Sequence, residues 1–71
     1  MEVNMAEKLK NKDYDLISVI YNASQAAETC SLYMKDAEKE KDPEVKQFFN
    51  EVAEMNANLV QRGRNLLKNR L

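Results

Sequence analysis

The sequence predicts an all-α fold: an antiparallel two-helix hairpin that dimerises into a four-helix bundle. Helix-forming residues dominate the 71-residue chain, which contains one Gly and one Pro. Apolar residues recur at heptad spacing in two long segments, and no segment alternates between apolar and polar residues as a strand would. A single core of this size supplies little stability, and one Cys with no His excludes disulfide or zinc staples. Oligomerisation is therefore the expected source of further stability.

The hairpin is predicted for residues 13–71, with the first helix at about 13–40 and the second at about 43–69. Residues 1–12 form an N-terminal segment in which Asn4-Met5-Ala6-Glu7 has the spacing of a capping box. A short helical turn is therefore expected at residues 5–10.

Asp42-Pro43-Glu44 separates the two predicted helices. Asp is a preferred N-cap, Pro is favoured at the first helical position, and an acid suits the positive end of a helix dipole. Because the connection is short, the helices are expected to lie antiparallel.

The expected core and dimer interface consist of apolar rows on both helices. A heptad seam on the first helix steps alternately by four and three residues, and a second row lies beside it. The seam is Leu16, Ile20, Ala23, Ala27, Cys30, Met34 and Ala37, and the second row is Val19, Ala26 and Tyr33. The second helix carries Val45, Phe48, Val52, Met55, Leu59 and Leu66, with Phe49 and Asn56 on its flank.

Two residues of the second helix carry separate predictions. Asn56 is expected to hydrogen-bond another polar side chain, such as Tyr33, Gln25 or its own symmetry mate, because an unpaired buried amide is costly. Gly63 lies on the apolar side, where it is expected to admit a close helix approach or a bulky neighbour such as Tyr14 or Tyr21.

Catalytic chemistry is not expected, and no cofactor is predicted. Ser18, Ser24 and Ser31 follow one side of the first helix, but the chain has no His to act as their base. Cys30 lies in the apolar seam, which disfavours a thiolate, so packing is the favoured role and pairing across a dimer axis the alternative. One Gly cannot form a phosphate-binding loop.

Charge is unevenly distributed, although the net charge is only −1. Residues 36–54 hold seven acids, whereas residues 55–71 hold four bases and no acid: Arg62, Arg64, Lys68 and Arg70. These bases could form a nucleic-acid or lipid patch, but no aromatic residue interleaves with them. Complementation of the helix dipole and pairing with Asp13 and Asp15 are the favoured interpretation.

Neither nucleic acid nor a membrane is therefore an expected partner. No apolar run approaches the ~20 residues that cross a bilayer. Glu2 and Asn4 stand where a secretory signal would begin, and a single thiol suits a reducing compartment. The cytoplasm is the expected location.

The residues on both sides of the turn resemble the helical hairpin of the ferritin-like superfamily, especially rubrerythrin-type domains. The matching stretches are Tyr33-Met34-Lys35-Asp36-Ala37, Asp42-Pro43-Glu44-Val45 and Phe49…Val52-Ala53-Glu54. They resemble the family's Y-x-x-x-A, D-P-E turn and F-x-x-(apolar)-A patterns over about residues 16–67. The chain is also similar to small bacterial proteins of unknown function that carry only such a hairpin.

The resemblance implies a fold without the family's redox chemistry. The family's metal ligands, a Glu before the Tyr and an E-x-x-H pair after the Phe, fall on Ala26, Asn56 and Leu59 of this chain. These residues cannot hold a di-iron centre, which needs carboxylate or imidazole donors. Glu28, Glu51 and Glu54 lie off the seam and are expected to face solvent.

The function expected from the sequence is a non-catalytic structural or protein-interaction role, exerted by a homodimeric bundle. One alternative is a bundle that keeps a divergent metal or small-ligand site between protomers, using Glu28, Glu51 or Tyr33. A second alternative is a small regulatory adaptor whose apolar face binds another protein.

Overall fold

The computed structural model describes residues 11–70, which form two antiparallel α-helices joined by a tight turn. Helix α1 spans Asn11–Lys39 with 29 residues, and α2 spans Pro43–Lys68 with 26 residues. The predicted all-α hairpin is confirmed for this part of the chain. The chain is already helical at Asn11, the first described residue, which lies two residues before the predicted start of the helix. The helical turn expected at residues 5–10 lies outside the described residues.

A Schellman motif ends α1. The Lys41 N–H donates to the Glu38 carbonyl at 3.1 Å, and the Asp42 N–H donates to the Ala37 carbonyl at 2.9 Å. Lys41 adopts the left-handed conformation that this motif requires, with φ at 56°. The motif satisfies backbone carbonyls that would otherwise lack partners at the helix end.

The residue that completes this motif also starts α2. Asp42 accepts a hydrogen bond on Oδ1 from the Val45 N–H at 3.1 Å, and Pro43 occupies the first helical position. Asp42 therefore closes one helix with its backbone and caps the next with its side chain. The turn predicted at Asp42-Pro43-Glu44 is thus held by these contacts.

Four contacts along the hairpin fix the register of the two helices. The residue pairs are Glu38–Lys46, Tyr33–Phe49, Ile20–Gly63 and Asp13–Arg70. The two residue numbers in each pair add to between 82 and 84. A residue of α1 therefore lies level with the residue of α2 whose number brings the sum of the two to about 83.

The first and last of these contacts are ionic. Lys46 Nζ donates to Glu38 Oε2 at 2.8 Å, and this hydrogen bond together with the ammonium charge holds the pKa of the Glu38 carboxyl below its ordinary value. At the other end, Asp13 is buried and lies 3.8 Å from Arg70 Nε. The expected pairing of the basic end of α2 with Asp13 is thus present, whereas Asp15 is exposed.

The seam between the helices uses a different row of α2 from the most apolar one. On α1, the predicted seam residues are all buried or half-buried. On α2, the buried and half-buried row facing them is Lys46, Phe49, Ala53, Asn56, Val60, Gly63 and Leu67. Phe49 and Asn56 therefore lie in the seam rather than on its flank. Both rows of α2 have heptad spacing, so hydrophobicity alone could not identify the one that faces α1.

Gly63 permits a close approach of the two helices. A Cβ atom at this position would lie 2.6 Å from Cγ1 of Ile20 and 3.9 Å from Cδ1 of Leu16. The close approach expected at Gly63 is present, but its neighbours are these aliphatic residues. Tyr14 and Tyr21 are exposed on the outside of α1.

The hairpin is a single layer of helices. Its Cα trace measures 51 × 27 × 12 Å, and the smallest dimension leaves no room for a second layer. Stable domains bury apolar surface between at least two layers. Within residues 11–70, both broad sides of the hairpin are therefore uncovered.

Candidate interaction face

The exposed apolar residues of α2 and the second row of α1 lie on one side of the hairpin. One heptad position is shared by the residues directly before Ile20, Ala27 and Met34 on α1 and directly before Lys46, Ala53, Val60 and Leu67 on α2. In an antiparallel pair, these positions of the two helices lie on the same side. They are Val19, Ala26 and Tyr33 of α1 and Val45, Val52, Leu59 and Leu66 of α2. Phe48 and Met55 lie next to them on α2.

We refer to these nine residues as the apolar face. Phe48 is 59% exposed and Met55 64%, while Ala26 and Val52 are half-buried between their neighbours. The Tyr33 and Phe49 rings lie 5.5 Å apart, and the Phe48 and Phe49 rings 6.0 Å apart. This aromatic cluster joins the face to the seam.

The aromatic cluster also confirms that the two helices contribute to the same side. Tyr33, Val45 and Phe49 line one open cleft of ≈ 360 Å³ at the turn end of the hairpin. Asp36, Glu40 and Asp42 also line it. The cleft thus combines aromatic and aliphatic side chains with three carboxylates.

The other broad side of the hairpin is more polar. On this side lie residues that directly follow a seam residue. They are Ile17, Ser24 and Ser31 of α1 and Asn50, Ala57 and Arg64 of α2. Exposed apolar residues elsewhere on α1 are Tyr14, Tyr21 and Leu32, which do not form a row with residues of α2. Only the apolar face extends across both helices of the described hairpin.

Charges around the apolar face are segregated along its length. Acidic side chains border its turn end: Asp36, Glu40, Glu44 and Glu51. Lys12 and Arg62 border the opposite end, together with Asp15. The sequence pattern of acids at residues 36–54 and bases at residues 55–71 therefore becomes a charge gradient along the face. This gradient was visible in the sequence, but its relation to the apolar surface was not.

The three positions on which the resemblance would place family metal ligands lie near the middle of the hairpin. By the register, Ala26 is level with residues next to Asn56 and Leu59. Asn56 Nδ2 donates to the Val52 carbonyl of its own helix at 2.9 Å. The side-chain partner predicted for Asn56 is therefore not found within the described hairpin, and pairing across a dimer remains a prediction.

Residues considered for other chemistry are dispersed. Among residues 11–70, no three Asp, Glu or Cys side chains come together as metal ligands. Glu28, Glu51 and Glu54 are exposed, and Gln47 Nε2 donates to Glu51 Oε2 at 3.3 Å. Cys30 is buried in the seam.

The serines and the basic residues are similarly occupied or separated. Ser31 Oγ donates to the Ala27 carbonyl at 3.4 Å, and Ser18 and Ser24 are half-buried. Arg70 donates from Nη1 to the Leu66 carbonyl at 3.2 Å as well as approaching Asp13. Arg62, Arg64 and Lys68 are exposed.

Neither helix in the described part of the chain has a stretch long and apolar enough to cross a membrane. Comparisons of the chain with protein-family models, curated proteins and solved structures found no match.

Proposed function

We propose that this chain is a non-catalytic, ferritin-like hairpin that homodimerises through its apolar face into a four-helix bundle with a structural or protein-interaction role. The observation that supports the proposal is the apolar face itself. Nine residues from both helices form one continuous surface on a molecule that is a single layer thick. A second hairpin is a partner of matching length and chemistry, and it supplies the missing layer.

The composition of the face suits a dimer interface. Stable interfaces have aromatic and Met residues at their core and a polar rim. Phe48, Tyr33 and Met55 provide such residues, and Asp and Glu lie at the rim. Contiguous exposed apolar residues on small proteins mark interaction sites.

Solution size and unfolding test the dimer. Multi-angle light scattering at micromolar concentration is expected to give twice the chain mass. The midpoint of thermal unfolding is expected to rise with protein concentration, because association stabilises only the folded state. A monomer whose midpoint does not depend on concentration would contradict the proposal and favour the adaptor alternative.

A matched pair of substitutions localises the interface. Met55 and Leu32 are 64% and 61% exposed, but only Met55 belongs to the apolar face. Met55→Glu is expected to raise the dimer dissociation constant by about thirtyfold or more, because a charge would be buried on both sides of the interface. Leu32→Glu is expected to leave it unchanged. Equal effects of the two substitutions would place the interface elsewhere.

The ferritin-like assignment is tested by restoring the family's ligands. The triple variant Ala26→Glu, Asn56→Glu and Leu59→His would give two hairpins the six donors of a di-metal site. It is expected to bind iron or manganese stoichiometrically by elemental analysis. Its control carries the same new residues on the outer surface, as Gln25→Glu, Asn58→Glu and Gln61→His. If the folded triple variant holds no more metal than this control, the assigned register is wrong.

A further inference from the structure

We infer that the two hairpins pack in opposite directions, so that the turn of each lies against the terminal end of the other and the twofold axis passes beside Ala26. This inference rests on the proposed homodimer and specifies its partner geometry. It follows from the charge gradient along the apolar face and from the register of the helices.

A twofold axis allows two arrangements when one face packs on its copy. If both turns lie at the same end, α1 covers α2 of the partner. If the turns lie at opposite ends, α1 covers α1 and α2 covers α2. Neighbouring helices run antiparallel in both arrangements, so helix dipoles do not choose between them. The side chains on and around the apolar face distinguish the two arrangements.

The charges that border the apolar face favour the arrangement with the two turns at opposite ends. With both turns at one end, Asp36, Glu40 and Glu44 of each chain would crowd the same rim, and Lys12 and Arg62 of each chain would meet at the other rim. Like charges placed together at an interface are unfavourable, whereas complementary ends attract. Opposite packing brings each acidic turn to the end of the other chain that carries Lys12 and Arg62, and these attractions outnumber the one like-charge approach, of Asp15 to the partner's Asp36.

The residues of α1 match when the axis passes beside Ala26. Val19 then faces the partner's Tyr33, which combines a small side chain with a large one. Lys12 faces the partner's Glu40, seven residues further from the axis on each side. Ala26 faces the partner's Ala26, so the two backbones can approach closely at the axis.

The same axis matches the residues of α2. The register places residue 57 or its neighbours level with Ala26, so Leu59 faces the partner's Met55 and Leu66 faces the partner's Phe48. Arg62 then lies near the partner's Glu51. Apolar residues meet apolar residues along the whole helix, and the rim charges have opposite signs.

Disulfide trapping distinguishes the two arrangements. In a Cys30→Ala background, Ala26→Cys is expected to form an intermolecular disulfide on mild oxidation, because this position faces itself only across the proposed axis. Leu32→Cys, on the outer surface of α1, is the control for random collision. Circular dichroism and light scattering of each reduced variant confirm a folded dimer first.

A second pair of variants tests the opposite ends directly. Lys12 lies near the start of α1 and Glu40 directly after its end. About 40 Å of helix therefore separates them, and they cannot meet within one chain. Lys12→Cys and Glu40→Cys, each in the Cys30→Ala background, are expected to cross-link when mixed and not when separate. A reduced dimer that traps neither Ala26→Cys nor the mixture would overturn the inference while leaving the proposed dimer intact. A monomer would overturn both.

Charge reversal gives an independent measure in the unmodified interface. Arg62→Glu and Glu51→Arg are each expected to raise the dimer dissociation constant roughly five- to tenfold, since each affects two symmetric pairs. The double variant is expected to return close to the wild-type value. If the two effects simply add, Arg62 does not face the partner's Glu51 and the opposite arrangement is wrong.

Discussion

Lys41 is the residue whose conformation is least suited to its side chain. It adopts φ of 56° at the end of α1, in a region that costs an L-residue about 1–2 kcal/mol. The Schellman hydrogen bonds of Lys41 and Asp42 hold it there. Glycine is the usual residue at this position because it has no Cβ.

Lys41→Gly is therefore expected to stabilise the protein by about 0.5–1 kcal/mol, after the entropy lost by a glycine on folding is subtracted. Urea unfolding at a fixed protein concentration measures the change. Lys39→Gly is the matched control, and it should destabilise by about 0.5–1 kcal/mol because Lys39 is helical. A destabilised Lys41→Gly variant would show that the Lys41 side chain contributes more than its conformation costs.

Asn56 satisfies its polar side chain within its own helix. Its amide donates to the Val52 carbonyl, so a half-buried polar group is satisfied without a partner from α1. A backbone carbonyl that already accepts a helical hydrogen bond is a weak constraint on the position of the second helix. In the proposed bundle, any specificity of this side chain would come from what it meets across the interface.

Between the helices, the approach at Gly63 sets the packing. Gly63→Ala should raise helix propensity by about 1 kcal/mol, yet its Cβ would lie 2.6 Å from Cγ1 of Ile20. Ile20 is branched at Cβ and cannot easily turn away. We expect a net destabilisation of about 1–2 kcal/mol, because overpacking exceeds the gain in propensity.

A double-mutant cycle with Ile20→Leu tests the cause. Leu has no branch at Cβ, so its side chain can move from the new methyl group. Gly63→Ala is expected to be nearly neutral in that background, and the coupling is read from urea unfolding of the four proteins. The same loss in both backgrounds would mean that Ile20 is not the obstacle.

The sequence predicted some elements well because their determinants are local. Asp42 and Pro43 start a helix by direct contacts within four residues, so their pattern is sufficient. Lys41 could not be recognised as the left-handed residue, since Lys carries no preference for that conformation. The roles of the two α2 rows were also beyond the sequence. Phe49 and Asn56 share their heptad period with Phe48 and Met55, and only the position of α1 separates seam from surface.

For the molecule as a whole, Asn56→Leu tests whether Asn56 determines the number of chains in the proposed bundle. The substitution removes a self-satisfied amide from the centre and should leave the free energy of unfolding the same or higher. We expect mixed oligomers in analytical ultracentrifugation, because Leu packs in several registers where Asn does not. Gln61→Leu, on the exposed surface and away from the apolar face, is the control and should remain dimeric.

A clean dimer of Asn56→Leu would show that this residue does not determine oligomer size. The assigned position of Asn56 near the bundle centre would then be in doubt, and so would the correspondence of Ala26, Asn56 and Leu59 to family ligands. Both depend on the same alignment of α2.

The turn around Asp42 also determines which kind of dimer is accessible. In a domain-swapped dimer, the turn would open and residues 11–68 would form one continuous helix. Pro43 would then clash with the carbonyl of Lys39, and a mid-helix proline costs about 3 kcal/mol or more. The Schellman bonds and the Asp42 cap would be lost as well. Exchange of helices between chains is thus disfavoured, so in the proposed dimer each hairpin is closed within its own chain.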